Sequence, residues 1–238
     1  MSDYTFNHIY NTIYEAGCNA PGEGYQEFPY KPDGLKLYQN IYELTYLIYW
    51  LARKGYNFNL GVDVGIAFGG TTKILRDLIP IKKTIVIDNC SEVPTGAYWN
   101  KIKDRVNSEI VEEIWEDSLS ETTREKLTKY AGEIDFVFLD GNHSKETVES
   151  EIELFYKLCK NGALIVFHDA FSSGVGVFDA WCNLRLKKDK RFILKAAFLV
   201  TMPGIVVFEV VKTGSTDDTM SNFDKNNSKT SKIKADNK

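Results

Sequence analysis

The sequence predicts an α/β fold: a mostly parallel, seven-stranded sheet with helices on both faces and an antiparallel hairpin at its end. Three observations predict it. Short apolar, β-branched runs alternate with helical segments between residues 59 and 167, as a parallel sheet covered on both sides requires. One run delivers a glycine turn, Gly65, Gly69 and Gly70, into a segment that reads as helix. The last two runs are joined only by Thr201-Met202-Pro203-Gly204, too short for a parallel crossover, so they pair antiparallel.

In chain order, Tyr4, Phe6, Ile9, Tyr10, Ile13 and Tyr14 fall at three- and four-residue spacing, which predicts a short amphipathic helix over residues 3–16. It packs on the main domain, covers a substrate pocket as a lid, or meets a second subunit in a homo-oligomer. Gly and Pro recur from Gly17 to Gly34 and predict an irregular loop. Leu37, Ile41, Leu44, Leu47, Ile48 and Leu51 predict a long helix from Leu37 to Lys54, stopped at Gly55. Strands are then expected at 59–64, 84–87, 110–115, 135–139, 163–167, 192–200 and 205–211. Helices are expected at 71–78, 98–107, 121–130, 145–159 and 175–186. This divides the chain into an aromatic N-terminal helix and loop (1–36), a ligand-binding domain (37–211) and a polar tail (212–238) expected to be disordered.

Composition excludes several function classes. With 238 residues, 43% hydrophobic and 26% charged, the chain suits one large soluble domain. A net charge of −4 gives no general attraction to nucleic acid. Cys18, Cys90, Cys159 and Cys182 form no CxxC pair and read as thiols in a reducing compartment. The most apolar stretch, 41–52, is interrupted by Glu43 and too short to span a bilayer, and the N-terminus lacks a secretory pattern. A cytoplasmic protein with no membrane partner is expected.

The chemistry-bearing residues stand at strand ends. The glycine turn reads D-x-G-x-x-x-G-G from Asp63, with Ala67 where a dinucleotide fingerprint has its second glycine. The next strand ends in Asp88, placed to accept hydrogen bonds from ribose hydroxyls unless it is a solvated turn residue. Asp117 ends the third and faces an adenine or caps a helix. The fourth strand ends Asp140-Gly-Asn-His143 and the fifth His168-Asp169. Asp140 and Asp169, with His168, suit one hard divalent cation, and His143 suits a general base for a hydroxyl proton. Alternatively, Asp140 and His143 cap the helix that begins near Ser144.

The segments DVGIAFGGTT, VIDN, EDS, FVFLDGNHSKETVESEIELFYKLCKNGALIVFHDA and the following GV resemble class I S-adenosylmethionine-dependent methyltransferases. They are most similar to the branch that holds cephalosporin-hydroxylase-type proteins and macrolide sugar O-methyltransferases. Gln39 and Glu43 fit the same branch. The resemblance covers about residues 37–211 and implies a Rossmann-like methyltransferase fold. It further implies that Asp63, Gly65 and Gly69 form the cofactor loop, that Thr71 lies near the methionine end, that Asp88 takes the ribose, and that Asp117 and Ser118 border the adenine. Asp140 and Asp169 match metal ligands (magnesium or manganese) and His143 a general base. His168 stands where several metal-binding members carry a carboxylate, so the metal differs, His168 lies outside its first shell, or the site is metal-free.

The expectation is thus a cytoplasmic O-methyltransferase that uses S-adenosylmethionine on a hydroxyl of a small molecule, a sugar or secondary metabolite. A nicotinamide oxidoreductase is the first rival, disfavoured by Ala67 and the terminal hairpin. A non-catalytic cofactor-binding module is the second.

Overall fold

The computed structural model describes residues 4–19, 31, 34–172, 176–199 and 203–212. Most of the loop expected between Gly17 and Gly34, and all but the first residue of the tail expected at 212–238, lie outside the described residues.

The chain begins with α1 (Phe6–Ala16), capped by Thr5, whose hydroxyl accepts from His8 N. Two three-residue strands, β1 (Gly17–Asn19) and β2 (Leu35–Leu37), pair in parallel. Helix α2 spans Ile41–Arg53. Its start corrects the expected boundary at Leu37: the Asn40 side chain accepts from the N–H groups of Tyr42 and Glu43, and that cap starts the helix after the β2 pairing. Helix α1 lies on α2 through the ring pairs Phe6–Tyr46 and Tyr10–Tyr42, with centroids 4.7 and 5.2 Å apart.

The main sheet is built from β3 (Phe58–Val64), β4 (Ile81–Ile87), β5 (Glu109–Ile114), β6 (Ile134–Leu139), β7 (Cys159–Phe167), β8 (Phe192–Phe198) and β9 (Ile205–Val210). Between them run α3 (Gly70–Leu78), α4 (Thr95–Ile102), a 3₁₀ turn at Lys103–Arg105, α5 (Glu121–Thr128), α6 (Lys145–Leu158) and α7 (Gly176–Leu186). The strand order is β5-β4-β3-β6-β7-β9-β8. β3 pairs in parallel with β4 and β6, β4 with β5 and β6 with β7, whereas β9 runs antiparallel to both β7 and β8. The seven strands and the terminal hairpin are those the sequence predicts.

Strand alternation separates two cores. Leu60, Val62, Val64, Ile165 and Phe167 face α5, α6 and α7, where Leu127, Val148, Ile152, Phe155 and Val177 are buried. Phe136, Phe138, Leu164 and Val166 face the opposite way, onto Ile9, Ile13, Leu44, Leu47 and Leu75 of α1, α2 and α3. Strand order reverses between β3 and β6: the chain builds outward to β5, then returns to the other side of β3. In such sheets the crevice outside the carboxyl ends of the two central strands is the ligand site.

A buried carboxylate secures the opposite end of the sheet. Asp135 accepts from Asn59 N at 2.8 Å, Leu60 N at 2.9 Å and Lys160 Nζ at 2.9 Å. It is only 2% exposed. Asp135→Ala leaves a fully buried N–H without an acceptor, and we expect a loss of about 3 kcal/mol in urea unfolding. Ligand affinity at the carboxyl edge should not change.

Candidate active site

Backbone hydrogen bonds align the strand ends in a row. Gly65 N donates to Ile87 O, Asp88 N to Ile114 O, Asp140 N to Val64 O and His168 N to Leu139 O, all between 2.8 and 3.0 Å. Beside this row lies a cavity of about 830 Å³, lined by residues that include Gly65, Ala67, Thr71, Asp88, Asp117, Ser118, Asp140, His143, His168 and Asp169. That volume falls in the upper range of small-molecule pockets, about 300–1,000 Å³.

The cofactor-binding residues expected from the sequence divide into two groups. Gly65 (φ +77°) sits directly against β6: a Cβ there would stand 2.1 Å from Asp140 O. Ala67, also at positive φ (47°), donates its N–H to Asp88 Oδ2 at 2.9 Å. Asp88 Oδ1 accepts from Cys90 N at 2.7 Å and from Thr95 Oγ1 at 3.1 Å. A carboxylate offers about four lone-pair positions, so Asp88 retains one acceptor position toward the cavity rather than two. Asp117 is exposed and accepts from Leu119 N. It does not cap α5; Ser120 does.

Asp63 and Gly69 lie outside the cavity lining. Asp63, 2% exposed, projects to the α3 face, and its Oδ1 is 2.7 Å from Nη2 of the fully buried Arg76. Arg76 Nε also donates to Thr84 Oγ1 at 2.8 Å. This ion pair ties β3 to α3 and β4 beneath the glycine turn, so Asp63 supports the seat from below. Gly69 is the residue before α3 in left-handed conformation (φ +76°), and a Cβ there would meet Trp99 at 2.7 Å. Its glycine is required by the close approach of that ring.

At the other end of the row, His143 stands between two carboxylates. Its Nδ1 is 2.9 Å from Asp169 Oδ2, and its Nε2 is 3.5 Å from Asp140 Oδ1. Burial would lower the His143 pKa, but the two carboxylates overcome it and raise the imidazole to about 10. Asp140 is held below the usual carboxylate range: burial acts against ionisation, but the His168 charge and the hydrogen bonds of both imidazoles outweigh it.

The side chains in mutual reach differ from the expected set of Asp140, His168 and Asp169. One ligand atom from each of Asp140, His143 and Asp169 lies within 4.8 Å of the others, and His143 supplies the imidazole of this group. His168 is 4% exposed and turns inward, with Nδ1 2.8 Å from Asp140 Oδ1. The cause is strand alternation: His168 continues the face of Leu164 and Val166, toward α2, while Asp169 at φ +53° leaves the strand geometry and faces the cavity.

Sequence reasoning missed Glu151. On α6 it occupies the buried stripe with Val148, Ile152 and Phe155, a charged residue at an apolar spacing, and that was the available signal. It accepts from Ser118 Oγ at 2.5 Å. Burial pushes its pKa from the ordinary 4.5 up to about 7, with the nearby Asp117 charge raising it further and Ser118 and His143 acting the other way. The folded state thus binds more protons than the unfolded chain between these two values, and stability falls as pH rises through that window. Glu151→Gln should stabilise the protein by up to about 3 kcal/mol at pH 8 and by little at pH 4, measured by denaturation at both pH values.

A family model described as a methyltransferase domain matches residues 60–170. The match covers just under half of the chain, and over those residues the sequence is similar to a methyltransferase domain. Uncharacterized protein R132 of Acanthamoeba polyphaga mimivirus is 28% identical to the chain over 110 residues, 45% of this chain and 50% of that protein. The chain thus spans about half the length of this curated relative. Among solved structures, TomG, an O-methyltransferase of Streptomyces achromogenes involved in tomaymycin synthesis and solved in complex with SAM, gives a TM-score of 0.52 at 15% identity, covering 89% of this chain and 92% of that one. An rRNA methylase from Streptococcus thermophilus gives 0.50 at 17% identity, covering 74% and 99%. At such identities the likeness establishes the fold. In this Rossmann-like, methyltransferase-type fold the order β5-β4-β3-β6-β7-β9-β8 places the glycine turn and the Asp140–His143–Asp169 cluster on one edge. Among the described residues no helix is long and apolar enough to cross a membrane.

Proposed function

We propose that the chain is a cytoplasmic S-adenosylmethionine-dependent O-methyltransferase acting on a hydroxyl of a small molecule, a sugar or secondary metabolite, with a divalent cation in the site. The observation that carries this reading is that the cofactor seat and the carboxylate–imidazole cluster share one cavity, with Gly65 packed against the Asp140 backbone.

The charge of that cavity supports a cationic donor over a dinucleotide. Among the described residues, Asp88, Glu92, Glu116, Asp117, Asp140 and Asp169 line it, against Lys36 as the one lysine and no arginine. Phosphate recognition relies on Arg and Lys, so this lining disfavours both a pyrophosphate and a nucleic-acid backbone. Gly65, Ala67 and Thr71 would hold the methionine end, Asp88 a ribose hydroxyl, and Asp117 with Ser118 the adenine. When bound, S-adenosylmethionine supplies a methyl group on a positively charged sulfur. The residues then have to align the acceptor oxygen with it and to take the hydroxyl proton.

The cluster fits a divalent cation by its donor set: two carboxylates and an imidazole in mutual reach, with His143 Nε2 buried and held only by the long 3.5 Å approach to Asp140 Oδ1. An imidazole beside two carboxylates suits manganese, iron or zinc better than magnesium. Such a cation would polarise the acceptor hydroxyl and take up the carboxylate charge that keeps His143 protonated. This last point sharpens the base assignment. Flanked by two carboxylates, His143 already holds its proton at neutral pH; once a cation compensates that charge, its free nitrogen either binds the metal or takes the hydroxyl proton, and cannot do both.

Calorimetric titration with S-adenosylhomocysteine and with NAD tests the donor. Micromolar binding of the first and none of the second is expected; the reverse would remove the reading. A panel of hydroxylated acceptors, assayed with and without chelator, then tests the cation.

A further inference from the structure

The strand ends account for Asp140, His143 and Asp169, but not for two polar side chains that the start of α2 sends into the interior. Gln39, 4% exposed, donates from Nε2 to Asp140 Oδ2 at 2.7 Å. Glu43 has no exposed surface at all. Its Oε1 accepts from Gly204 N at 2.9 Å, and its Oε2 lies 4.0 Å from His168 Nε2. His168 Nδ1 in turn reaches Asp140 Oδ1 at 2.8 Å. Both oxygens of Asp140 are therefore held from the α2 side, one directly and one through an imidazole. Burying a carboxylate is costly, and α2 otherwise packs through Ile41, Leu44, Leu47, Ile48 and Leu51, a surface that an apolar residue at position 43 would extend.

The same carboxylate also reaches the chain after Asp169. Ala170 N donates to Gly204 O at 3.0 Å and Phe171 N to Pro203 O at 2.8 Å, so the segment that Glu43 holds is the segment on which the 169–171 turn rests.

We propose that Glu43 is a positioning residue for the cation site: through His168 it fixes the direction of the Asp140 carboxylate, and through Gly204 it fixes the turn that presents Asp169. This rests on the reading of Asp140 and Asp169 as cation ligands. Partners that orient metal ligands from behind typically contribute 10–100-fold in metal affinity.

Glu43→Gln tests it, because the amide keeps an acceptor for Gly204 N while removing the charge that faces His168. Manganese binding to the full chain is read by electron paramagnetic resonance, alongside S-adenosylhomocysteine affinity by calorimetry. A 10–100-fold loss in manganese affinity with cofactor affinity within twofold is expected. An unchanged manganese affinity, or a parallel loss of both that marks a merely structural role, would overturn the proposal. If the wild-type chain binds no manganese, the cation reading itself has failed, and Glu43 is then judged on the metal-free protein by the ¹⁵N resonances of the His168 ring. A change in those resonances in Glu43→Gln supports the positioning role, and identical resonances overturn it.

Discussion

Gly65→Ala is expected to abolish S-adenosylhomocysteine binding and to destabilise the fold by at least about 3 kcal/mol. Two effects add at this position. The backbone is at φ +77°, where an L side chain is strained by about 1–2 kcal/mol. The new methyl group would also stand 2.1 Å from Asp140 O and 2.6 Å from Gly141 Cα, both backbone atoms of the neighbouring strand end that cannot rotate away. Relief requires β3 and β6 to separate where Asp140 N donates to Val64 O. That movement would displace Asp140 and the cofactor turn together. Gly132 is the control: its φ is +82°, but nothing lies within 4 Å of a Cβ there. Gly132→Ala should show the strain alone, with cofactor affinity intact. Calorimetric titration and urea unfolding of the two variants separate the contributions. Equal behaviour of the pair would mean that the close approach to Asp140 has no consequence.

The fold was legible because its signals are local and repeat. The apolar strands and their alternation with helices, together with the short final loop, are written in contiguous residues. The position of Asp88 and Asp117 at the cavity edge was legible for the same reason, since each follows a strand. Asp63 was not, because its role depends on Arg76, thirteen residues on and facing it across the β3–α3 interface. The placement of the two histidines, His143 toward the cavity cluster and His168 toward α2, has a similar origin. Alternation along β7 already implied that His168 shares the side of Val166, but what stands on that side is Gln39 and Glu43, brought there from more than a hundred residues away. The start of α2 was misplaced because Leu37 continues the helical spacing, whereas β2 pairing and the Asn40 cap decide the boundary. Positions set by contacts distant in sequence leave little trace in spacing.

Asp140→Asn should lower turnover by at least about 100-fold and weaken manganese binding by a similar factor, while S-adenosylhomocysteine affinity changes by less than about threefold. The expectation depends on the variant remaining folded, and the hydrogen-bond geometry supports that. An asparagine side chain keeps one oxygen as acceptor for His168 Nδ1, which Asp140 Oδ1 now serves at 2.8 Å. Its amide nitrogen would face Gln39 Nε2, donor against donor; Gln39 Oε1, however, is buried without a partner among the described residues and can accept once that amide turns over. Cofactor affinity should persist because Gly65, Asp88 and Ser118 are untouched. What disappears is one of the two negative charges beside His143. Without a cation, that loss brings the His143 pKa down from about 10 toward its ordinary range. The variant therefore separates two roles for Asp140. If it served only to hold His143 protonated, the substitution would free the imidazole, and turnover near neutral pH would rise. If it holds a cation, turnover falls with manganese affinity. Turnover that falls while manganese affinity stays unchanged would place Asp140 in the orientation of His143 and His168 alone and remove it from the ligand set.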